Sequence, residues 1–144
     1  MIEYCANRTS AENLVTYFEE MRRREEIHAV RIFPPYVAKL RKNAVIFEAW
    51  ENNVLVGFCA MYCNRAEKDY AFIPQVNVSP VVRHMGVGTE LIRQSVDYAR
   101  MLEFHEVRLC VNKNNVAAIA FYSRLGFIKM SETEFQFTMS RKTR

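Results

Sequence analysis

Val78-Ser79-Pro80-Val81-Val82-Arg83-His84-Met85-Gly86-Val87-Gly88 is the stretch whose reading decides the fold. A strand-like run leads into it, two glycines sit near its end, and an amphipathic segment follows at once. That order reads as strand, tight loop and helix. A helix that starts this way presents backbone amides with no internal partner, together with the positive end of its dipole. Both suit a pyrophosphate. Gly86 and Gly88 have no side chains to hold a phosphate off the main chain, and Arg83 adds a cationic fork beside them. No Gly-Lys-Ser/Thr follows, so the stretch is not a Walker loop, and no third glycine stands at dinucleotide-fingerprint spacing. Two glycines alone read more readily as a plain strand-to-helix turn than as a phosphate site.

The sequence on either side extends the pattern. Residues 88–102 place Leu91, Ile92, Ser95, Val96 and Ala99 on one helical face. Residues 106–111 form a strand with few polar interruptions, expected to be covered on both faces. Residues 115–125 form a helix with Ala118, Ile119, Tyr122 and Leu125 on one side, ended by Gly126. Strands at 128–130 and 134–140 complete the second half. Upstream, residues 2–6 read as a first strand. Thr9-Ser10-Ala11-Glu12 offers a capping box for a helix carrying Leu14, Val15 and Phe18. Pro34-Pro35 opens a second helix over 36–42. Residues 44–50 and 54–62 read as a hairpin around Glu51-Asn52-Asn53, and 72–78 as the next strand. Trp50, Phe47, Phe58 and Tyr62 on the hairpin are expected mostly in the core. The fold class is therefore α/β with a mixed sheet of about seven strands and about four helices.

The chain has 144 residues, which fits a single domain over 1–144. Half of its residues are hydrophobic and a quarter are charged, enough apolar material for one core. A formal charge of +4, from 20 basic and 16 acidic residues, favours anions but shows no aromatic-interleaved basic face for nucleic acid. No apolar run is long enough for a membrane span, and Met1-Ile2-Glu3-Tyr4-Cys5 does not read as a secretory signal, so a cytoplasmic protein is expected. Cys5, Cys59, Cys63 and Cys110 form no CxxC pair and have no zinc-finger histidines, so no metal is expected. They are read as reduced, buried, structural thiols, with Cys110 set apart by its position on the strand over 106–111.

Arg83-x-x-Gly86-x-Gly88 resembles the acetyl-CoA pyrophosphate loop of the GNAT superfamily, Arg/Gln-x-x-Gly-x-Gly/Ala. The flanks match too, with Val78-Ser79-Pro80 before the loop and a long helix after it. About thirty residues on, Asn115-x-x-Ala118-Ile119-x-x-Tyr122-x-x-x-Gly126-Phe127 resembles that family's Asn-x-x-Ala-x-x-x-Tyr-x-x-x-Gly-Phe signature. The resemblance covers residues 72–130 well; residues 1–71 match only in element order.

It implies a GNAT fold whose sheet splays between the fourth and fifth strands. Acetyl-CoA would be the acyl donor. Its pantetheine arm would pair with the main chain of Val76, Asn77 and Val78, and its pyrophosphate would rest on the amides of His84, Met85, Gly86, Val87, Gly88 and Thr89, beside Arg83. Asn115 would contact the cofactor from the last helix. The implied reaction is direct transfer to an amine, with the Val78 amide stabilising the oxyanion and Tyr122 protonating the thiolate; a phenol with an ordinary pKa near ~10 stays protonated at neutral pH. On the helical stripe alone, Tyr122 would be read as a core aromatic.

The base is less legible. Gln75 and Asn77 are not bases, though a water chain past them could carry the proton. Cys110 stands where some relatives have Glu, and no histidine is placed to make it a nucleophile. Glu48 and Glu134 are weaker candidates. His84 reads as a loop residue, and His28 and His105 receive no role. Arg22-Arg23-Arg24-Glu25-Glu26 reads as a solvated helix end, although Arg22, Arg23, Arg24 and Arg31 would also suit an anionic acceptor. The leading expectation is a small-molecule amine acceptor. Acetylation of a protein or peptide is the alternative, and a non-catalytic acyl-CoA-binding regulatory module is the third. An exposed edge strand at 134–140 would give a route to a homodimer.

Overall fold

A computed structural model describes residues 1–23 and 34–144. The chain resolves into two compact units, Met1–Ala60 with Gln75–Ile92, and Met61–Pro74 with Arg93–Arg144. Four α-helices and seven strands are described. They run in the order β1 (Glu3–Ala6), α1 (Ala11–Arg23), α2 (Pro34–Asn43), β2 (Ala44–Glu51), β3 (Val54–Tyr62), β4 (Tyr70–Val78), α3 (Val87–Met101), β5 (Glu106–Asn112), α4 (Val116–Arg124), β6 (Ile128–Glu132) and β7 (Gln136–Lys142). The strands form one mixed sheet in the order β1-β2-β3-β4-β5-β7-β6. This is the α/β architecture expected from the sequence. The residues 24–26, His28 and Arg31, with the side chain of Arg22, lie outside what is described.

In the first unit, β2 turns into β3 at Asn52 and Asn53, with φ of 51° and 64°. Two successive left-handed residues make the tight hairpin turn whose twist matches paired strands, and asparagine tolerates that conformation. β1 lies antiparallel to β2, from Glu3 opposite Trp50 to Ala6 opposite Phe47. Leu14, Tyr17, Phe18 and Met21 of α1 are buried. The Phe18 and Tyr17 rings meet Phe58 of β3 edge-on, at 5.5 and 5.6 Å between centroids. On the other face of β3, Gly57 leaves room for α3. A β-carbon there would stand 3.3 Å from Val87 Cγ1 and 3.5 Å from Leu91 Cδ1.

The start of α1 departs from expectation. Its capping side chain is Ser10, whose Oγ accepts from the Asn13 amide at 3.0 Å, and not Thr9. The Thr9 amide donates instead to Glu48, 39 residues away, at 2.8 Å. That long-range bond holds Thr9 outside the helix and shifts the cap by one residue. Ser10→Ala should therefore destabilise the fold by ~1 kcal/mol, read as a lower urea midpoint with unchanged slope.

In the second unit, β4 and β5 pair in parallel from Tyr70↔Glu106 to Ile73↔Leu109. The ladder ends at Pro74, whose nitrogen has no hydrogen to donate. β5 pairs antiparallel with β7 along its whole length, Glu106↔Lys142 to Asn112↔Gln136. β7 is thus an interior strand, flanked by β5 and β6. The edge strand expected at 134–140 is instead β6, which carries a bulge between Lys129 and Ser131.

The covering of β5 also differs from expectation. Val107, Leu109 and Val111 are buried with Ala71, Ile73 and Met139, while Cys110 and Asn112 on the opposite face are exposed. Alternation along an apolar strand hides a one-sided cover, because Cys110 is apolar enough to pass for core. Leu91, Ile92, Ser95, Val96 and Ala99 of α3 are all buried, as the stripe predicted. The stripe of α4 is only half-buried. Leu125 closes that helix and Gly126 follows at φ +91°.

The cysteines are free, but only Cys59 is buried; Cys5 and Cys63 are half-buried and Cys110 is exposed. Burial pushes the Cys63 thiol up to about 11, which keeps it protonated and inert. Phe47, Trp50 and Phe58 are core, and Tyr62 is half-buried. No helix among the described residues is long and apolar enough to cross a membrane, and no group of three or more His, Cys, Asp or Glu among them could hold a metal ion.

Candidate active site

The loop between β4 and α3 begins with Ser79, whose hydroxyl accepts from the Val81 amide and caps a single 3-10 turn, Pro80–Val82. His84 and Gly86 then take left-handed conformations, at φ 69° and 75°. Arg83, His84, Met85, Gly86 and Thr89 are exposed, while Val87 is anchored in the core at 1 % exposure. The first turn of α3 is therefore held rigidly with its outer surface open to solvent. A β-carbon built on Gly86 would meet no atom within 4 Å, so the space over its main chain is empty. The Met85 amide is drawn into the turn, donating to the Val82 carbonyl at 3.3 Å. Along the loop, the amides best placed for an anion are those opening α3, at Val87, Gly88 and Thr89, because a helix leaves its first amides without internal acceptors.

The end of β4 has a defined polarity. The Ser79 amide donates to the Val56 carbonyl of β3 at 2.8 Å. The Asn77 carbonyl also faces β3, 3.2 Å from where a Gly57 β-carbon would lie. Main-chain groups alternate sides along a strand, so those of Val76 and Val78 point away from β3. Of the three main-chain positions expected to meet a cofactor, Val76 and Val78 have free direction, and Asn77 is turned to its neighbouring strand.

The side chains of Gln75 and Asn77 share the face toward α1 and α2. The Tyr17 hydroxyl donates to Asn77 Oδ1 at 2.6 Å, and the Tyr36 hydroxyl to Gln75 Oε1 at 3.4 Å. Burial pushes the Tyr17 phenol well above its ordinary pKa, against a smaller opposing pull from the Arg83 guanidinium, so this hydroxyl stays a donor. Sequence reading missed both tyrosines, since Tyr17 falls on a core stripe and its partner lies 60 residues away.

Glu48 is bound into the fold. It is fully buried and its oxygens accept from the Arg8 amide at 3.1 Å, the Thr9 amide at 2.8 Å and Trp50 Nε1 at 3.0 Å, with the Cys5 thiol 3.4 Å away. It ties the β1–α1 connection to β2. Glu134 is exposed in the β6–β7 turn. In the second unit, Asn115 caps α4, its Oδ1 accepting from the Ala118 amide at 3.1 Å. That leaves its amide NH2 for an outside partner. Tyr122 is half-buried, with its ring 5.2 Å from Phe121 and 5.8 Å from Phe127. Cys110 Sγ lies 3.6 Å from Thr138 Oγ1 across the β5–β7 pair.

The sequence profile of the Acetyltransferase (GNAT) family matches residues 10–127. An uncharacterized N-acetyltransferase of Methanocaldococcus jannaschii is 39% identical over 80 residues, 53% of this chain and 35% of that protein, so the chain spans about a third of that relative's length. The crystal structure of the ribosomal-protein-S18-alanine N-acetyltransferase from Escherichia coli superposes with a TM-score of 0.81 at 20% identity, over 99% of this chain and 94% of that one. PaiA N-acetyltransferase from Thermoplasma acidophilum, crystallised in complex with coenzyme A, superposes at 0.74 and 18% identity over 99% of each chain. At these identities the two structures speak to the fold.

Proposed function

Because the chain belongs to the GNAT acetyltransferase family, we propose that it moves the acetyl group of acetyl-CoA to the primary amine of a small-molecule acceptor by direct attack within a ternary complex. The observation that carries this is the β4–α3 loop. Its left-handed Gly86, which no atom crowds, and the unpaired amides that open α3 offer the exposed donors and positive dipole end that a pyrophosphate needs. The coenzyme A bound to the Thermoplasma enzyme supports the donor's identity.

The bound thioester supplies an activated acetyl group. This chain's residues do the rest. Arg83 and the amides of Val87, Gly88 and Thr89 bind the pyrophosphate, with His84, Met85 and Gly86 shaping the loop around it. Asn115 offers its NH2 to the cofactor. The main chains of Val76 and Val78 orient the pantetheine arm as an added strand would be, and Asn77 anchors β4 to its neighbour. The Val78 amide stabilises the carbonyl oxygen as it gains negative charge. Tyr122 donates its proton to the departing sulfur. The acceptor's own proton leaves through water, since Glu48 is committed to the fold and Cys110 is no base.

Tyr122→Phe tests the reading. It should lower kcat by ~10²-fold or more while acetyl-CoA binding, measured by calorimetry, persists. An unchanged kcat would remove Tyr122 from the mechanism. Acetylation of a protein N-terminus is the second reading, favoured by the likeness to the ribosomal-protein enzyme. Turnover of peptides but not small amines in a thiol-release assay would establish it.

A further inference from the structure

Gln75 and Asn77 stand two residues apart on one face of β4, and a helix tyrosine holds each by its carbonyl oxygen. The Asn77 bond is short, and its tyrosine is held in the core: Tyr17 is 5 % exposed, and Phe18 and Phe58 meet its ring edge-on. With the oxygens turned toward α1 and α2, the NH2 groups face away from those hydroxyls. Both residues are half-buried, and among the described residues the side-chain bonds of each are those its oxygen accepts, with no protein acceptor on either amide nitrogen. Among the described residues no buried polar side-chain atom is left without a partner, so these unpaired nitrogens are not buried and are open to an incoming molecule.

An amide NH2 only donates. With each oxygen already accepting from a tyrosine, this stretch of strand presents two outward donors, roughly 7 Å apart by strand spacing. Such a surface pairs with oxygen. Its NH2 groups repel the N–H groups of an ammonium, and a site built to hydrogen-bond a substrate group discriminates strongly against analogues that lack it. One residue on is Val78, whose amide the proposed mechanism sets at the reacting carbonyl.

The geometry points to Gln75 and Asn77 as specificity-determining donors for an acceptor that carries a carbonyl or carboxylate oxygen beside its amine. That class contains free amino acids and the N-terminal residue of a peptide, and excludes polyamines and simple alkyl amines. Tyr17 and Tyr36 are positioning residues that keep the amides facing this way. The inference rests on the acetyl-transfer reading and deepens it by naming the acceptor class.

The experiment measures coenzyme A release with four acceptors: alanine, an alanyl peptide amide, butylamine and spermidine. Calorimetry with acetyl-CoA alone runs in parallel. Alanine or the peptide should exceed both plain amines by ~10-fold or more in kcat/KM. The alanine and peptide arms separate a carboxylate partner from a peptide carbonyl. Asn77→Asp keeps the shape and the Tyr17 bond but turns a donor into an acceptor. It should raise KM for the carbonyl-bearing acceptor by ~10-fold or more and narrow the gap to spermidine. Gln75→Glu should act in the same direction. Preference for butylamine or spermidine, no turnover of alanine or peptide, or an acceptor preference that Asn77→Asp leaves unmoved would overturn the inference. If acetyl-CoA itself does not bind, the cofactor reading fails with it, and the parallel titration distinguishes the two.

Discussion

Gly86→Glu should abolish measurable acetyl-CoA binding while leaving the protein folded. Gly86 sits at φ +75°, a conformation that L-residues adopt at a cost of ~1–2 kcal/mol. A β-carbon there meets nothing within 4 Å, so the substitution adds that backbone strain but no clash at its first atom. The same empty space is where the pyrophosphate is proposed to lie. A carboxylate filling it excludes the phosphate sterically and opposes it electrostatically. Like charges ~4 Å apart repel by ~1–4 kcal/mol between bulk water and a protein surface. Together these weaken binding by at least ~100-fold in a calorimetric titration. Gly86→Ala is the control. It carries the backbone cost without the charge and should lose about tenfold or less. Binding of the Glu variant at parental strength would falsify the placement of the cofactor on this loop.

Glu48→Ala should destabilise the fold by several times the loss at an ordinary surface position. The substitution strands the Thr9 amide, the Arg8 amide and Trp50 Nε1 around a void. Each buried donor left unpaired costs ~1–3 kcal/mol, and some recover a water, which suggests a total loss of roughly 3–5 kcal/mol. Glu48→Gln should lose about half as much, because one oxygen remains an acceptor while the new NH2 faces a donor. Urea unfolding of the two variants reads the difference directly. The Cys5 thiol, pushed up by burial and by the Glu48 carboxylate beside it, should also react faster with thiol reagents in the alanine variant. A loss under 1 kcal/mol for Glu48→Ala would mean that water replaces the carboxylate freely.

Several features were legible because their signals are local. The Gly86-x-Gly88 loop, the hairpin turn at Asn52 and Asn53, the stripe of α3 and the glycine after α4 each depend on residues within a few positions of one another. Steric limits on φ and the helical period write such features into short stretches of chain. The two GNAT-like blocks were readable for the same reason, and they carried the family.

Other features were decided by residues distant in sequence. Thr9 looked like a cap, but Glu48 takes its amide from 39 residues away. Residues 134–140 looked like an edge, yet β7 lies between β5 and β6, because strand order depends on which faces can be buried together. β5 looked double-covered, and only the packed sheet shows that Cys110 lies on its open side. The amides of Gln75 and Asn77 drew notice as residues that are not bases. Their orientation comes from Tyr17 and Tyr36, 60 and 39 residues away. The sequence by itself determined the family, the loop and the order of elements, since backbone preference and periodicity act over short range. Tertiary structure alone decided which polar groups meet, because a buried hydrogen bond is chosen by whichever donor and acceptor packing brings within about 3 Å.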